Sequence, residues 1–339
     1  MAWRTLSKAL GFKTAMAVAA ATGTFMMPYP VLAETKMDFS NEYPPTSIHA
    51  EGDAFFIEQV KALTNGEVDI TLHTSGSLGF KSADHFYAVA DEAVQIADTL
   101  AGTLAGVDSI FLLSSLPFVA DDVDEAFTLY TIARPYYEAV FEDNNQILLY
   151  ASPWPASGIW SKDAVTTPAE LADLKMRTYD KNGTITFKEA GAAPVNLSWA
   201  DVVPQLSTGG IEAVLTSAES GVTGSFWEHL GHFSEIQYAV PLNMVHMNKE
   251  VFEGLDEATQ KAVLEAAKKT DEHNWQEVRT RVAKNYDTIK EHGITLHTEM
   301  SPELSDLLSK SAQPAVAEWL EATGEDGQAI MDAFNKATQ

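Results

Sequence analysis

Cysteine is absent from all 339 residues. That excludes disulfides, thiolate metal sites and a cysteine nucleophile, and leaves packing to hold the chain together. Positive charge is scarce: 22 Lys and Arg stand against 48 Asp and Glu, a net charge of −26. Such a surface repels nucleic acid and anionic lipid headgroups. It also makes one well-placed cation more telling, because an anionic ligand must be drawn in against the general field. Long apolar runs are lacking too: the stretch from Thr14 to Met27 is shorter than the ~20 residues of a membrane-spanning helix. Catalytic signatures are missing as well. Gly76-Ser77-Leu78-Gly79 and Glu219-Ser220-Gly221 do not make the Gly-X-Ser-X-Gly turn of a serine hydrolase. Gly102-Thr103-Leu104-Ala105-Gly106 lacks the lysine and the spacing of a phosphate loop. His229 and His232 have no third ligand at metal spacing and read as surface histidines. There is no internal repeat and no low-complexity linker.

What is present begins with a leader. Arg4, Lys8 and Lys13 precede the apolar run, no acid occurs before Glu34, and Val31-Leu32-Ala33 places small residues at a cleavage site. Residues 1–33 are therefore expected to be a secretory signal peptide, cut after Ala33. Removing them leaves 19 basic and 48 acidic residues, −29. The expected product is exported and soluble, without a membrane anchor.

The chain then alternates strand and helix. Thr35–Ser40 and Val68–His73 alternate apolar and polar residues as strands do, and Ala93–Leu100 is a candidate buried strand. Helices are expected near 49–64 and 82–91. Such alternation predicts a parallel α/β sheet, whose ligands sit beyond the carboxyl ends of its strands. Asn41 and Tyr43 lie at the first such end. A helix over 124–141 and a strand over 146–151 follow, then Ser152-Pro153-Trp154-Pro155-Ala156-Ser157-Gly158, proline-rich enough to be a crossover between lobes. Trp154 there reads equally as a core residue or as part of a ligand wall. Thr167-Pro168-Ala169-Glu170 starts a helix, with Thr as N-cap, Pro at N1 and Glu at N3. It feeds the strand Leu174–Tyr179, from which Arg177 emerges. A planar guanidinium in that position can grip a carboxylate through two parallel hydrogen bonds; a structural ion pair is the plainer alternative. Asn182-Gly183 is expected to turn the chain and Gly191 to cap the next helix. Ser198 then opens a further helix as N-cap, with Asp201 at N3. Tyr238–Met247 is expected to return to the first lobe, with Asn243 near the cleft. A very long charged helix spans 255–291, followed by a strand at 294–297 and helices over 301–323 and 327–336.

Asp173-Leu174-Lys175-Met176-Arg177, followed by Gly191-Ala192-Ala193-Pro194-Val195-Asn196-Leu197-Ser198-Trp199-Ala200-Asp201-Val202, resembles the core signature of the DctP-type substrate-binding proteins of tripartite ATP-independent periplasmic (TRAP) transporters. Leu116-Pro117-Phe118 and the Thr74–Gly79 loop are similar to further family segments, and the likeness covers essentially all of the mature chain. It implies an α/β fold of two lobes joined by a hinge, with a ligand cleft between them and a long helix spanning both. The expected bounds are 34–154 and 246–300 for the first lobe, 155–245 for the second, and 301–339 for C-terminal helices packing on both. By the resemblance, Arg177 grips the ligand's carboxylate and Trp199 is an aromatic of the pocket. Thr216 or Ser217 stands where the family has an asparagine, so a hydroxyl replaces an amide there. Phe226 or Trp227 can face the cleft. The second arginine that many members carry falls near Ser157, and no arginine stands between Arg134 and Arg177, which favours a ligand with a single carboxylate. The implied function is capture of a small organic acid for an ion-gradient-driven permease. No cofactor, metal, nucleic acid or second copy of the chain is expected, and no covalent step. Rival readings are an exported hydrolase or lyase whose catalytic set is hidden in the fold, and a sensor that binds the same ligand.

Overall fold

The computed structural model describes residues 35–338; the expected signal peptide and its cleavage site lie outside them. In chain order the elements are β1 (Thr35–Asn41), α1 (Ile48–Leu63), β2 (Val68–His73), α2 (Ser82–Ala90), β3 (Ile96–Leu100), two 3-10 turns (Ala101–Gly106 and Ser109–Ser115), α3 (Val123–Asp143), β4 (Gln146–Pro153), β5 (Ser157–Ser161), α4 (Pro168–Leu171), β6 (Lys175–Thr178), α5 (Lys181–Glu189), β7 (Ala193–Asn196), α6 (Trp199–Thr208), β8 (Ala213–Ser217), α7 (Ala218–Thr223), a 3-10 turn (Phe226–Glu228), β9 (His232–Ser234), β10 (Leu242–Asn248), α8 (Lys249–Glu253), α9 (Glu257–Glu291), β11 (Thr295–His297) and α10 (Pro302–Ala337).

Two sheets form. The first has strand order β2-β1-β3-β10-β4 and the second β11-β9-β5-β8-β6-β7. Each centres one lobe. In the first, Phe39 of β1, Phe56 and Val60 of α1, Tyr150 of β4 and Val263 of α9 share one core. Trp160 of β5, Val214 of β8, Phe226, Phe233 and Ile289 share another in the second lobe. Burying side chains of this size contributes roughly 1.5–3 kcal/mol each, the only large stabilising term open to a chain without disulfides.

The sheets are mixed rather than purely parallel. β10 runs antiparallel to β3 and β4, and β5 runs antiparallel to β8 and β9. Both reversals come from the crossings. Residues 154–156 carry the chain from β4 to β5, and 235–241 carry it back from β9 to β10. The two segments bond to each other: Trp154 N donates to Pro241 O (2.9 Å), Ser157 N to Ala239 O (2.9 Å) and Tyr238 N to Ser157 O (3.0 Å). The return therefore ends at Pro241, before the expected residue 245, and Pro241 separates what reads in sequence as one continuous strand from 238 to 247. A third crossing follows, as the long helix expected to span both lobes implies, but β11 beyond it pairs with β9 in the second sheet, although 246–300 was assigned to the first lobe. α9 makes that crossing. Its 35 residues span ~52 Å at 1.5 Å per residue. α10 touches both lobes: Leu304 and Leu308 pack with Met176, while Trp319, Ile330 and Phe334 pack with Phe111 and Tyr137. It bends at Gly324, which has φ +59° and ψ −129°.

Asn182-Gly183 is not a turn. Both residues lie in the first turn of α5, whose N-cap Asp180 accepts from Gly183 N at 3.0 Å. Glycine is used there for closeness, since a Cβ would meet Leu215 Cδ2 at 3.0 Å. The expected start of α4 does form: Glu170 Oε2 accepts from Thr166 N (2.8 Å) and Thr167 N (2.9 Å). Ser198 sits at the N-cap of α6, but its side chain makes no capping hydrogen bond.

Candidate functional site

The carboxyl ends of β1, β3, β6 and β8 converge between the two lobes, as parallel strands predict. Past them lies a cavity of about 330 Å³ lined by Tyr43, Leu100, Trp154, Ser157, Arg177, Tyr179, Trp199, Thr216, Ser217, Ser220 and Pro241.

Arg177 is the cavity's cation. β6 places it one residue from the strand end with 3% of its surface exposed. Its Nε donates to Leu197 O at 2.9 Å and its Nη1 to Leu215 O at 3.4 Å, and its Cζ lies 5.8 Å from the centre of the Tyr179 ring. Burial pulls its pKa down, while Tyr43, Glu42, Tyr179 and Asp180 act through space to raise it. Among the described residues no carboxylate makes an ion pair with it, so the plain structural alternative finds no partner. Two backbone carbonyls fix the guanidinium plane and leave the remaining N–H groups to whatever occupies the cavity.

The walls are aromatic and hydroxylic. Tyr43 meets Trp154 edge to face at 5.0 Å, and Trp199 lies 6.1 Å from Tyr43. Such geometries suit ring quadrupoles and make a slot for a flat or compact apolar body. Ser157 Oγ is 3.3 Å from Tyr179 Oη. With Thr216, Ser217 and Ser220 these groups can both donate and accept. Ser217 also caps α7, accepting from Ser220 N at 3.3 Å. No acid lines the cavity, so no carboxylate there would pair with a ligand's ammonium group. Outside Leu100, Arg177, Tyr179 and Trp199 lies an outer space of about 640 Å³ bordered by Glu42, Ser82, Lys181 and Asn196. Near it Lys81 Nζ of the first lobe meets Asp201 Oδ2 of the second at 2.9 Å.

Of the ten residues singled out from sequence, Arg177, Trp199, Thr216, Ser217, Trp154, Tyr43 and Ser157 come together here. The other three do not line the cavity. Asn41 is buried beneath it: its Oδ1 accepts from Tyr43 N at 2.7 Å, and its Nδ2 donates to Asp53 Oδ2 at 2.6 Å and Asp98 Oδ2 at 3.1 Å. Asn243 stands behind Trp154 and accepts from its Nε1 at 2.8 Å. Phe226 lies in the second lobe's core, stacked on the far side of Trp199 at 5.9 Å. Sequence reading missed Tyr179, Leu100, Ser220 and Pro241. Tyr179 and Leu100 had a usable signal, since each stands at or just past the carboxyl end of a strand already recognised.

A second junction closes the lobes away from the cavity. Glu219 of α7, with none of its surface exposed, accepts from Ile48 N at the start of α1 (3.0 Å). It also accepts from Arg281 Nε (2.8 Å), Arg281 Nη2 (3.0 Å) and Asn285 Nδ2 (2.8 Å) of α9. Arg281 Nη1 reaches Glu51 at 2.8 Å and its Nη2 reaches Thr46 O at 2.9 Å. One buried carboxylate thus ties the second lobe to the first lobe's helix and to the long helix.

Residues 39–322 match the model of the bacterial extracellular solute-binding protein family 7, DctP. The 2,3-diketo-L-gulonate-binding periplasmic protein YiaO of Escherichia coli is 25% identical over 286 residues, covering 83% of this chain and 87% of that one. Two solved structures superpose closely. One is DctP6 of Bordetella pertussis, an extracytoplasmic solute receptor binding pyroglutamic acid, with TM-score 0.85, 29% identity, and 89% and 100% of the two chains covered. The other is a marine metagenome TRAP solute-binding protein specific for pyroglutamate, with TM-score 0.86, 30% identity, and 90% and 99% covered.

Proposed function

The chain belongs to the family 7 bacterial extracellular solute-binding proteins, and from that premise we propose that it is a TRAP receptor for a compact monocarboxylic acid of the pyroglutamate kind. It would capture the acid outside the cytoplasm and hand it to an ion-gradient-driven permease, working as a monomer and without a covalent step. Arg177 carries the reading: a buried guanidinium, fixed by two carbonyls and facing an aromatic cavity. It would hold the carboxylate as a two-pronged donor. Trp154, Tyr43 and Trp199 would pack the ring, and the hydroxyls of Thr216, Ser217 and Ser157 would meet its neutral polar atoms.

Two features favour a small monoanion over larger or doubly charged acids. One arginine serves the cavity, and Ser157 stands where a second would be. The acid-free lining disfavours a free amino acid, whose ammonium would be buried without an opposite charge. A lactam such as pyroglutamate removes that charge and keeps the carboxylate. Among the described residues no helix is long and apolar enough to cross a membrane.

A thermal-shift panel of monocarboxylates, dicarboxylates, sugar acids and free amino acids tests this. A true ligand at ~100 times its dissociation constant adds about 2.7 kcal/mol of stability. L-pyroglutamate should raise the melting temperature clearly while L-glutamate and succinate do not. A larger shift with a dicarboxylate would contradict the single-carboxylate reading.

A further inference from the structure

The wall formed by Tyr43 and Trp154 is held from behind by a buried polar relay that makes no contact with the cavity. Trp154 Nε1 donates to Asn243 Oδ1 (2.8 Å), and Asn243 Nδ2 donates to Asp98 Oδ1 (2.7 Å). Asp98 Oδ2 shares the Asn41 amide with Asp53 Oδ2, at 3.1 and 2.6 Å. Asn41 Oδ1 in turn accepts from Tyr43 N, and Tyr150 Oη donates to Asp53 Oδ1 at 2.9 Å. Asp53, Asp98, Asn41, Asn243 and Tyr150 are all fully buried. Two carboxyl groups that converge on one amide nitrogen in a dry interior cannot both ionise at moderate cost, so the pair keeps one proton.

We propose that Asp98 is a positioning residue for the ligand wall, orienting Trp154 through Asn243 and Tyr43 through Asn41, and that it does so by holding the shared proton of the Asp53–Asp98 pair. Protonated at Oδ2, Asp98 donates to Asp53 and still accepts from Asn243 at Oδ1, so every group in the relay is satisfied. With the proton gone, the two carboxylates repel across Asn41 and the anchors of both aromatics shift.

The surroundings favour the protonated form. Burial pushes both carboxyls above the ordinary aspartate range. Asp53 raises Asp98 further, as does Glu42 from the end of β1, and hydrogen bonds from Asn41, Asn243 and Tyr150 oppose the shift only in part. The other titratable groups around the pair and its aromatics are Tyr43, the Tyr150 hydroxyl from β4, His85 of α2 and His49 of α1, whose ring centre lies 3.9 Å from that of Trp154 and whose pKa burial and then Arg281 lower to about 3, below the range followed here. Burial keeps both phenols in their neutral form, helped by Glu42 and Asp98 at Tyr43 and by Asp53 and Asp98 at Tyr150. His85 bonds the Asp98 carbonyl at 3.1 Å, and burial holds it neutral, with its pKa lowered to about 4. An anionic ligand in the cavity adds a negative charge on the same side, so binding should draw a further fraction of a proton onto the pair. That consequence rests on the anion-receptor reading; the relay itself does not.

The two claims separate by experiment. The indole N–H resonance of Trp154, identified by its loss in Trp154→Phe, is followed in the ligand-free protein from about pH 5 to about pH 9, above the ~4 of an ordinary aspartate. In the wild type it should titrate in this range. In Asp98→Asn, whose amide copies the protonated acid, it should stay flat. In Asp53→Asn, which removes the repulsion, the inflection should move to the acid side, so a poorly folding Asp98→Asn leaves a second test. An indole signal that does not move, or that moves alike in the wild type and both variants, overturns the relay. Calorimetry with L-pyroglutamate in two buffers of different ionisation heat then reads proton uptake, expected in the wild type and absent in Asp98→Asn. Binding with no uptake contradicts the linkage, and no binding at all counts against pyroglutamate as the ligand while the indole titration still judges the relay.

Discussion

Arg177 and Asp180 lie three residues apart and are both buried, yet burial acts on them in opposite ways. The guanidinium keeps its charge and is held by carbonyls. The Asp180 carboxyl is pushed up to about 6 by desolvation, against the opposing pull of the Gly183 N–H, Ser115 and Arg177. An aspartate raised in the folded state binds its proton more tightly there than in the unfolded chain, whose aspartate titrates near 3.8. Stability therefore falls as pH rises from about 4 to about 6 and stays reduced above that. Asp180→Asn keeps an N-cap acceptor and removes the buried charge. It should stabilise the protein by about 2–3 kcal/mol at pH 8, a gain that disappears by about pH 4. Urea unfolding at both pH values checks this, and a pH-independent difference would refute it. From the residues alone Arg177 read more readily as a structural ion pair, and the family resemblance is what pointed it at the cleft, where β6 does bring it to the cavity wall. Asn41 and Asn243 were near enough to suspect but not to place, because an amide at a strand end serves a ligand or a second layer equally well. Only the positions of Asp53 and Asp98 distinguish the two roles.

At the scale of elements, most helices and strands followed from periodicity, and the failures share a cause. β5 and β9 are five and three residues long and buried largely by neighbours distant in sequence, so no local pattern marks them. α9 reads as a charged surface helix, yet Arg281 and Asn285 turn inward to Glu219. Removing the cation alone strands a fully buried carboxylate between the lobes. Arg281→Met should therefore cost about 3 kcal/mol of stability, within the range for breaking a buried ion pair. The double variant Arg281→Met with Glu219→Met should recover much of it. Thermal unfolding measures both. A single variant as stable as the wild type would show that the junction is not tight.

The whole molecule carries a net charge of −26 over two lobes that must approach each other. Self-repulsion of that size is screened as the Debye length shrinks from ~10 Å at 0.1 M salt to ~3 Å at 1 M. The melting temperature should rise with sodium chloride over that range; a fall would mean that attractive surface pairs outweigh the net charge. The two-lobed architecture and its crossing near residue 155 were legible in the prolines around Trp154 and in the family signature near Arg177. The long helix spanning both lobes was legible through the same resemblance; the second-lobe place of β11 beyond it was not, because it depends on where a 35-residue helix ends in space. The central claim, that one arginine in the interlobe cleft holds a small monocarboxylate, is tested most directly by titrating L-pyroglutamate calorimetrically into the wild type and Arg177→Lys side by side. Lysine keeps the charge and loses the planar fork, so binding should be one-to-one in the wild type and weaker by roughly 1.5–3 kcal/mol in the variant. Equal affinity in the two proteins would remove Arg177 from the site and contradict the account.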